Sequence, residues 1–232
     1  MRVLLPALVP MARPAGISVY VRELVRAWTR IGSGVPHLTV VTPEPDAFGF
    51  AGSGDMVRIW PIVPRLPGVW GRVLALHTAI PRLARRLEAD VVLTPNFLSP
   101  AWPGRVPTVV AVQDLAFEQV PSSVPFPRRM YYGLAVRSSI RRASAVLVTT
   151  RRMAMEVAAY EPSVASRIRT APLGVSPAHL ETGSGRKRPH GRGGERGRIS
   201  FVQDLTLNSA QWGQYDRAEV SILSIGDRDI GD

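Results

Sequence analysis

Residues 2–9 read Arg-Val-Leu-Leu-Pro-Ala-Leu-Val, and residues 14–28 read Pro-Ala-Gly-Ile-Ser-Val-Tyr-Val-Arg-Glu-Leu-Val-Arg-Ala-Trp. The first stretch is short, apolar and closed by Pro10, the pattern of a buried strand. In the second, apolar residues recur at Ile17, Tyr20, Val21, Leu24, Val25 and Trp28, which is the spacing of one face of an amphipathic helix. Gly32 and Gly34 predict where that helix stops. Strand, Pro/Gly loop and helix in this order open a βαβ unit.

The same alternation continues outward along the chain. Strands are predicted at 37–42, 57–62, 90–94, 108–112, 145–149 and 168–173. Helical periodicity covers 69–88, with Val73, Leu76, Ile80, Leu83 and Leu87 on one stripe, then a segment near 127–142, then 151–160. Pro81 predicts a kink in the 69–88 helix or its division into two. Apolar strands alternating with helices imply an α/β fold: a Rossmann-like parallel sheet with helices on both faces, over residues 1–180. In such a sheet ligands bind at the carboxyl ends of the strands. Here those ends are the loops at 10–16, 95–100, 113–120 and 150–152.

The 232 residues are 45% hydrophobic and 20% charged, enough for a packed core. There is no cysteine, so disulfides and thiolate metal sites are excluded. The net charge of +11 is almost entirely arginine, Lys187 being the single lysine. Residues 1–180 hold 21 basic and 10 acidic residues and therefore carry the whole excess. Arginine, alanine, glycine, proline and valine rise together in GC-rich genes, which accounts for the charge without any ligand. Attraction to phosphate on nucleotides, nucleic acid or lipid is the functional alternative. The N-terminus is too short and too interrupted by Pro6 for a secretory signal, and no run reaches membrane-spanning length. A cytoplasmic protein is expected.

Residues 181–232 differ. The stretch 183–198 is basic, Gly-rich and without an apolar residue, so a disordered tail is expected. The abrupt change near residue 180 is what a shift of reading frame produces. The Asp227-Arg228-Asp229 string in this tail follows no strand and is read as chance.

Several residues at the strand ends have chemistry to offer. Gly16 lies between strand and helix, where amide groups of a helix start face an anion; an ordinary turn glycine is the plainer reading. Asn96, Gln113 and Asp114 follow the strands at 90–94 and 108–112. Asp114 either lines a cleft or caps a loop. Thr150 stands where it would cap the helix beginning at Arg151. His37, His77, His179 and His190 show no metal-ligand spacing, and no Ser/His/Asp set is present. The arginine pairs 85–86, 128–129 and 141–142 fall on helices, either as a solvated face or as a surface attracted to a membrane.

Six segments taken in order resemble family 4 (group 1) glycosyltransferases. Residues 14–25 resemble the family's Gly-Gly-Ile/Val…Tyr…Arg-Glu-Leu segment. Residues 90–96 resemble its Asp-Val-Val-His strand, and 110–115 its Val-Thr-Ile-His-Asp-Leu strand end. Tyr131 to Ala145 resembles the helix before Ala-Asp-Ile-Ile, residues 148–150 resemble Thr-Val-Ser, and residues 171–177 resemble Ile-Pro-Asn-Gly-Val-Asp-Pro. Order and spacing agree over about 1–178.

The resemblance implies the acceptor-side, N-terminal half of a GT-B fold, whose second Rossmann-like domain binds the nucleotide-sugar. It implies hexosyl or mannosyl transfer to a glycan or lipid-linked acceptor, in cell-envelope polysaccharide biosynthesis, with the nucleotide-sugar as co-substrate and neither cofactor nor metal. Gly16, Asn96, Gln113, Asp114 and Thr150 are then the substrate-facing positions. The Glu-x7-Glu donor motif is missing from this sequence, so the chain is expected to be inactive alone, or to pair with a separately encoded donor-binding domain, with peripheral contact at the inner face of the membrane. Gln113 stands where the family has histidine and cannot serve as a general base. Arg151 replaces a glutamate, Ser176 an aspartate, and Ala15 one of two glycines. The alternative is a non-catalytic module binding RNA or an anionic surface through the Arg/Gly tail. No aromatic residue is interleaved there for base stacking, and nucleic acid is not the expected partner.

Overall fold

The computed structural model describes residues 1–11, 16–31, 34–51, 56–64, 68–102, 104–115 and 126–173. The expected tail at 181–232 and its Asp-Arg-Asp string lie outside the described residues, as does the end of the 171–177 segment from Gly174 onward.

The chain runs β1 (Arg2–Pro6), α1 (Gly16–Ile31), β2 (His37–Thr42), a 3₁₀ segment (Pro45–Ala51), β3 (Val57–Pro61) and α2 (Gly68–Arg86). It continues through β4 (Val91–Thr94), β5 (Thr108–Val112), α3 (Phe126–Arg142), β6 (Ala145–Val148), α4 (Arg151–Tyr160), a second 3₁₀ segment (Pro162–Arg167) and β7 (Ile168–Thr170). The seven strands form one sheet in the order β3-β2-β1-β4-β5-β6-β7, and every pairing is parallel. The fold is α/β and Rossmann-like, with helices on both faces.

The two-residue period of the strands divides the core in two. Val3, Leu5, Leu38, Val40, Leu93 and Ala111 point to the face covered by α1, where Val21, Val25 and Trp28 are fully buried. Burying each large apolar side chain of this set stabilises by about 1.5–3 kcal/mol. Leu4, Val41, Val92, Val110, Val112 and Val146 point to the opposite face, under α2, α3 and α4 through Ile80, Val136, Ile140 and Val157. Both sides of β4, β5 and β6 are buried, which is why those strands are continuous apolar runs rather than alternating ones.

Two expectations are corrected at element ends, and one alternative is decided. The first strand stops at Pro6 rather than continuing to residue 9; Ala7 donates to the Val41 carbonyl at 2.8 Å, and the chain then leaves the sheet. The last strand is Ile168–Thr170, not 168–173, because it is an edge strand paired with β6 alone. Pro81 does not divide its helix: Gly68–Arg86 is a single element. Ile80 and Ala84 are both fully buried on either side of the proline, so packing keeps the two halves in one helix. The two 3₁₀ segments have no counterpart in the sequence reading.

The end of α2 explains its length. Glu88 takes φ +50°, Ala89 N–H donates to the Ala84 carbonyl at 2.8 Å, and Glu88 N–H donates to the Arg85 carbonyl at 3.1 Å. This is a Schellman closure with glutamate where glycine is preferred.

Candidate active site

The chain order moves outward from β1 through β2 to β3 and then returns to β4 on the other side of β1. Connections leaving β1 and β4 therefore part, opening a crevice at their carboxyl ends, the usual ligand position in a doubly wound sheet. A cavity of about 370 Å³ lies there. Pro6, Leu8 and Val9 come from the end of β1 and Ile17 from the first turn of α1. Val69, Arg72, Val73 and Leu76 come from α2, and residues 94–98 from the end of β4. Tyr132 of α3 closes one side, its ring meeting Phe97 edge-on at 5.4 Å.

The loops are pinned by specific bonds. Met11 N–H donates to Glu44 Oε2 at 2.9 Å, tying the loop after β1 to the end of β2. Ser99 N–H donates to Ser139 Oγ at 3.0 Å, and that hydroxyl donates to the Ala135 carbonyl at 2.7 Å, tying the loop after β4 to α3. Thr94 Oγ1 donates to the Val109 carbonyl at 3.2 Å and is thereby satisfied internally.

Two polar atoms at this edge are not satisfied. Asn96 Oδ1 and Gln113 Nε2 are buried without a hydrogen-bond partner among the described residues. An unpaired buried polar atom costs about 1–3 kcal/mol, so such atoms at a cleft are ready to meet a ligand. Arg72 is the single charged side chain among the described residues lining the cavity. A guanidinium in an otherwise largely apolar recess suits a phosphate, a carboxylate or vicinal hydroxyls.

The sequence-derived positions all fall at carboxyl strand ends, but they do not all converge. Asn96 lines the cavity. Gly16 is the exposed first residue of α1, next to the cavity-lining Ile17, and nothing lies within 4 Å of where a Cβ would stand. No contact within the described chain demands glycine there. Gln113 and the exposed Asp114 follow β5, one strand farther along. Thr150 is exposed and its Oγ1 accepts Met153 N–H at 3.1 Å, which is the capping geometry. The three are not part of the cavity lining.

Arg72, Tyr132 and His77 were not singled out as site residues from sequence. His77 Nδ1 accepts Ala101 N–H at 2.9 Å, which places the ring proton on Nε2 and directs it to Tyr131 Oη at 2.8 Å. Burial, reinforced by Arg142, holds His77 below the usual histidine range. Burial and the adjacent Tyr132 push Tyr131 up to about 12. The pair is neutral and joins α2, α3 and the loop after β4 beside the cavity. The Tyr131-Tyr132 doublet and a histidine on an amphipathic helix were the available signals, but neither has a spacing that marks a site.

Residues 15–174 match the family model described as a glycosyl transferase 4-like domain. No curated protein sequence matches the chain. Among solved structures, the fold is similar to Anabaena Alr3699/HepE in complex with UDP and glucose, at a TM-score of 0.52 and 15% identity over 78% of this chain and 48% of that one. The same protein in complex with UDP-glucose gives 0.50 and 14%, over 78% and 48%. Glycyrrhiza uralensis UGT73P12, complexed with glycyrrhetinic acid 3-O-monoglucuronide, gives 0.46 and 11%, over 77% and 49%. The chain spans about half the length of these structures, whose architecture is GT-B. With the match covering more than half of its residues and the parallel sheet to go with it, this chain belongs to the glycosyl transferase 4-like domain family.

Proposed function

We propose that this domain holds the acceptor in a GT-B glycosyltransferase reaction, transferring a hexosyl or mannosyl-type unit from a nucleotide-sugar to a glycan or lipid-linked acceptor of the cell envelope. The observation that carries this reading is the cavity at the β1/β4 crevice, an otherwise largely apolar recess lined by Arg72 and by Asn96, whose Oδ1 is buried without a partner among the described residues. Asn96 and Gln113 would orient sugar hydroxyls, Gln113 without titrating. The start of α1 at Gly16 would face a phosphate or the bound sugar. Asp114 is the carboxylate nearest in sequence to this set, and Thr150 contributes by fixing α4. The leaving diphosphate would be stabilised by basic groups and helix dipoles in place of a cation.

The donor nucleotide would be bound by the second domain of the GT-B fold. The reaction would take place in the cytoplasm, at the inner face of the membrane. The test is incubation of labelled nucleotide-sugars and a membrane lipid extract with the chain, with a co-purifying donor-binding domain, and with both together. Product from the pair alone is expected, falling at least about tenfold with Asn96→Ala, the scale of one lost hydrogen bond to substrate. A folded, co-purifying pair that neither binds nor consumes any nucleotide-sugar would overturn the proposal.

A further inference from the structure

His77 belongs to one wall of the crevice and is bonded to two others without lining it. It stands one turn after the cavity-lining Val73 and beside Leu76 on α2. Its Nδ1 accepts Ala101 N–H at 2.9 Å, in the loop that continues from the lining residues 94–98. Its Nε2 meets Tyr131 Oη of α3 at 2.8 Å. From there ring contacts run into the crevice. The His77 and Tyr131 centroids are 6.4 Å apart, those of Tyr131 and Tyr132 5.9 Å, and those of Tyr132 and Phe97 5.4 Å. Tyr132 and Phe97 both line the cavity. The loop has another tie, Ser99 N–H to Ser139 Oγ, but that hydroxyl accepts at any ordinary pH. The imidazole changes its hydrogen-bonding character when it takes a proton.

We propose that His77 is a positioning residue for the acceptor: its imidazole sets the spacing of α2, α3 and the loop after β4, and so the width of the crevice. The neutral ring alone can serve both neighbours, accepting at Nδ1 and donating at Nε2. With a proton on each nitrogen it donates at both, and Nδ1–H meets Ala101 N–H, donor against donor. No carboxylate compensates that charge, because α2, α3 and residues 95–102 contain none. The ionisable groups that α3 brings to it are Tyr131, in direct contact, and Arg142, which acts through its charge. The loop at 95–102 holds none, and the nearest on α2 are Arg72 and Arg82, five positions away on either side. Burial and Arg142 hold His77 below the usual histidine range, so the clamp is closed at neutral pH and opens as pH falls through the folded value. The inference rests on the crevice being the acceptor site of the proposed function, and on no particular sugar.

The full chain is followed by two readouts that need no sugar chemistry. Amide exchange, corrected for its own pH dependence, reports the Ala101 N–H. Its protection should fall at least about threefold from about pH 7.5 to about pH 5, since below the folded pKa each pH unit shifts a titrating group by up to about tenfold. In His77→Gln it should stay level, because the glutamine amide accepts through oxygen and donates through nitrogen without titrating. N-phenyl-1-naphthylamine, an apolar dye uncharged over this range, reports the crevice. Its affinity per folded molecule should fall by a similar factor in the wild-type chain and stay level in His77→Gln. Val73→Phe fills the crevice and should abolish dye binding; dye that still binds sits elsewhere, and the Ala101 amide then decides alone. A merely structural histidine leaves both readouts independent of pH in the folded molecule. That result, or a fall of equal size in His77→Gln, overturns the inference. A folded chain paired with its donor domain that transfers no sugar sinks the proposed function and leaves both readouts standing.

Discussion

The two edges of the sheet hold recesses of similar size, about 340 Å³ at the amino ends of the strands and about 370 Å³ at the carboxyl ends, yet their polar groups are in opposite states. At the amino edge the groups answer one another. Arg2 pairs with Glu88, and its backbone N–H reaches Asp90 Oδ2 at 2.6 Å. Arg58 stacks over Trp60 at 4.8 Å, and Trp28 Nε1 donates to the Pro36 carbonyl at 2.7 Å. Thr108 Oγ1 is the exception, buried there without a partner. At the carboxyl edge Asn96 Oδ1 and Gln113 Nε2 are left open, and Arg72 lines the cavity outside any salt bridge among the described residues. Volume does not separate a site from a surface hollow here; unsatisfied polarity does. One edge is finished and serves stability, and the other keeps unpartnered polar atoms beside the candidate site.

The largest effect should come from breaking the finished edge. Trp28→Ala removes a fully buried ring and its bond to Pro36, and should cost about 3–5 kcal/mol in denaturant unfolding. Acceptor-side binding per folded molecule should stay as it was; a proportional loss of binding would blur the division between the edges. At the unfinished edge, Asn96→Ala should leave stability unchanged or raise it by up to about 1 kcal/mol, since it deletes a buried unpaired atom. A loss greater than about 1 kcal/mol in thermal melting would mean that Asn96 is structural.

Back at the amino edge, Glu88→Gly should stabilise by about 0.5–1 kcal/mol, relieving a left-handed glutamate. The Arg2 partner it removes is exposed and contributes little. Destabilisation would show that this ion pair outweighs the backbone conformation. The smallest effect concerns pH. His77 is held below its ordinary value in the folded protein, so the stability tied to its neutral form is present above pH 6.5 or so and declines as pH falls toward the folded value. His77→Gln can still accept Ala101 N–H and should flatten that decline in urea titrations between pH 7.5 and 5.5, a window that spans the ordinary histidine pKa of about 6.5. An unchanged slope would place the decline elsewhere.

Much of the fold was legible because its signals are local. The apolar spacing from Ile17 to Trp28 is satisfied by α1, which buries Val21, Val25 and Trp28. The continuous runs at β4, β5 and β6 reflect burial on both sides. Pro81 does not divide α2 because its cost is local, while Ile80 and Ala84, which hold the helix together, act through contacts distant in sequence. Glu88 ends α2 in a conformation that its residue type gives no reason to expect. The candidate site was legible by level but not by membership: Gly16, Asn96, Gln113, Asp114 and Thr150 all stand at carboxyl strand ends, yet the cavity takes in Asn96 and leaves Gly16, Gln113, Asp114 and Thr150 out of its lining. Arg72 and Tyr132 enter it from helices that pattern alone cannot place over a particular strand.

By itself the sequence determined the alternation of strand and helix, the parallel sheet and the edge at which the candidate site lies, because hydrophobic period and turn chemistry are written along the chain. Tertiary structure alone decided which side chains meet at that edge. The return from β3 to β4 brings residues near 9, 72, 96 and 132 to one crevice. Their convergence is a property of strand order, which no local spacing encodes.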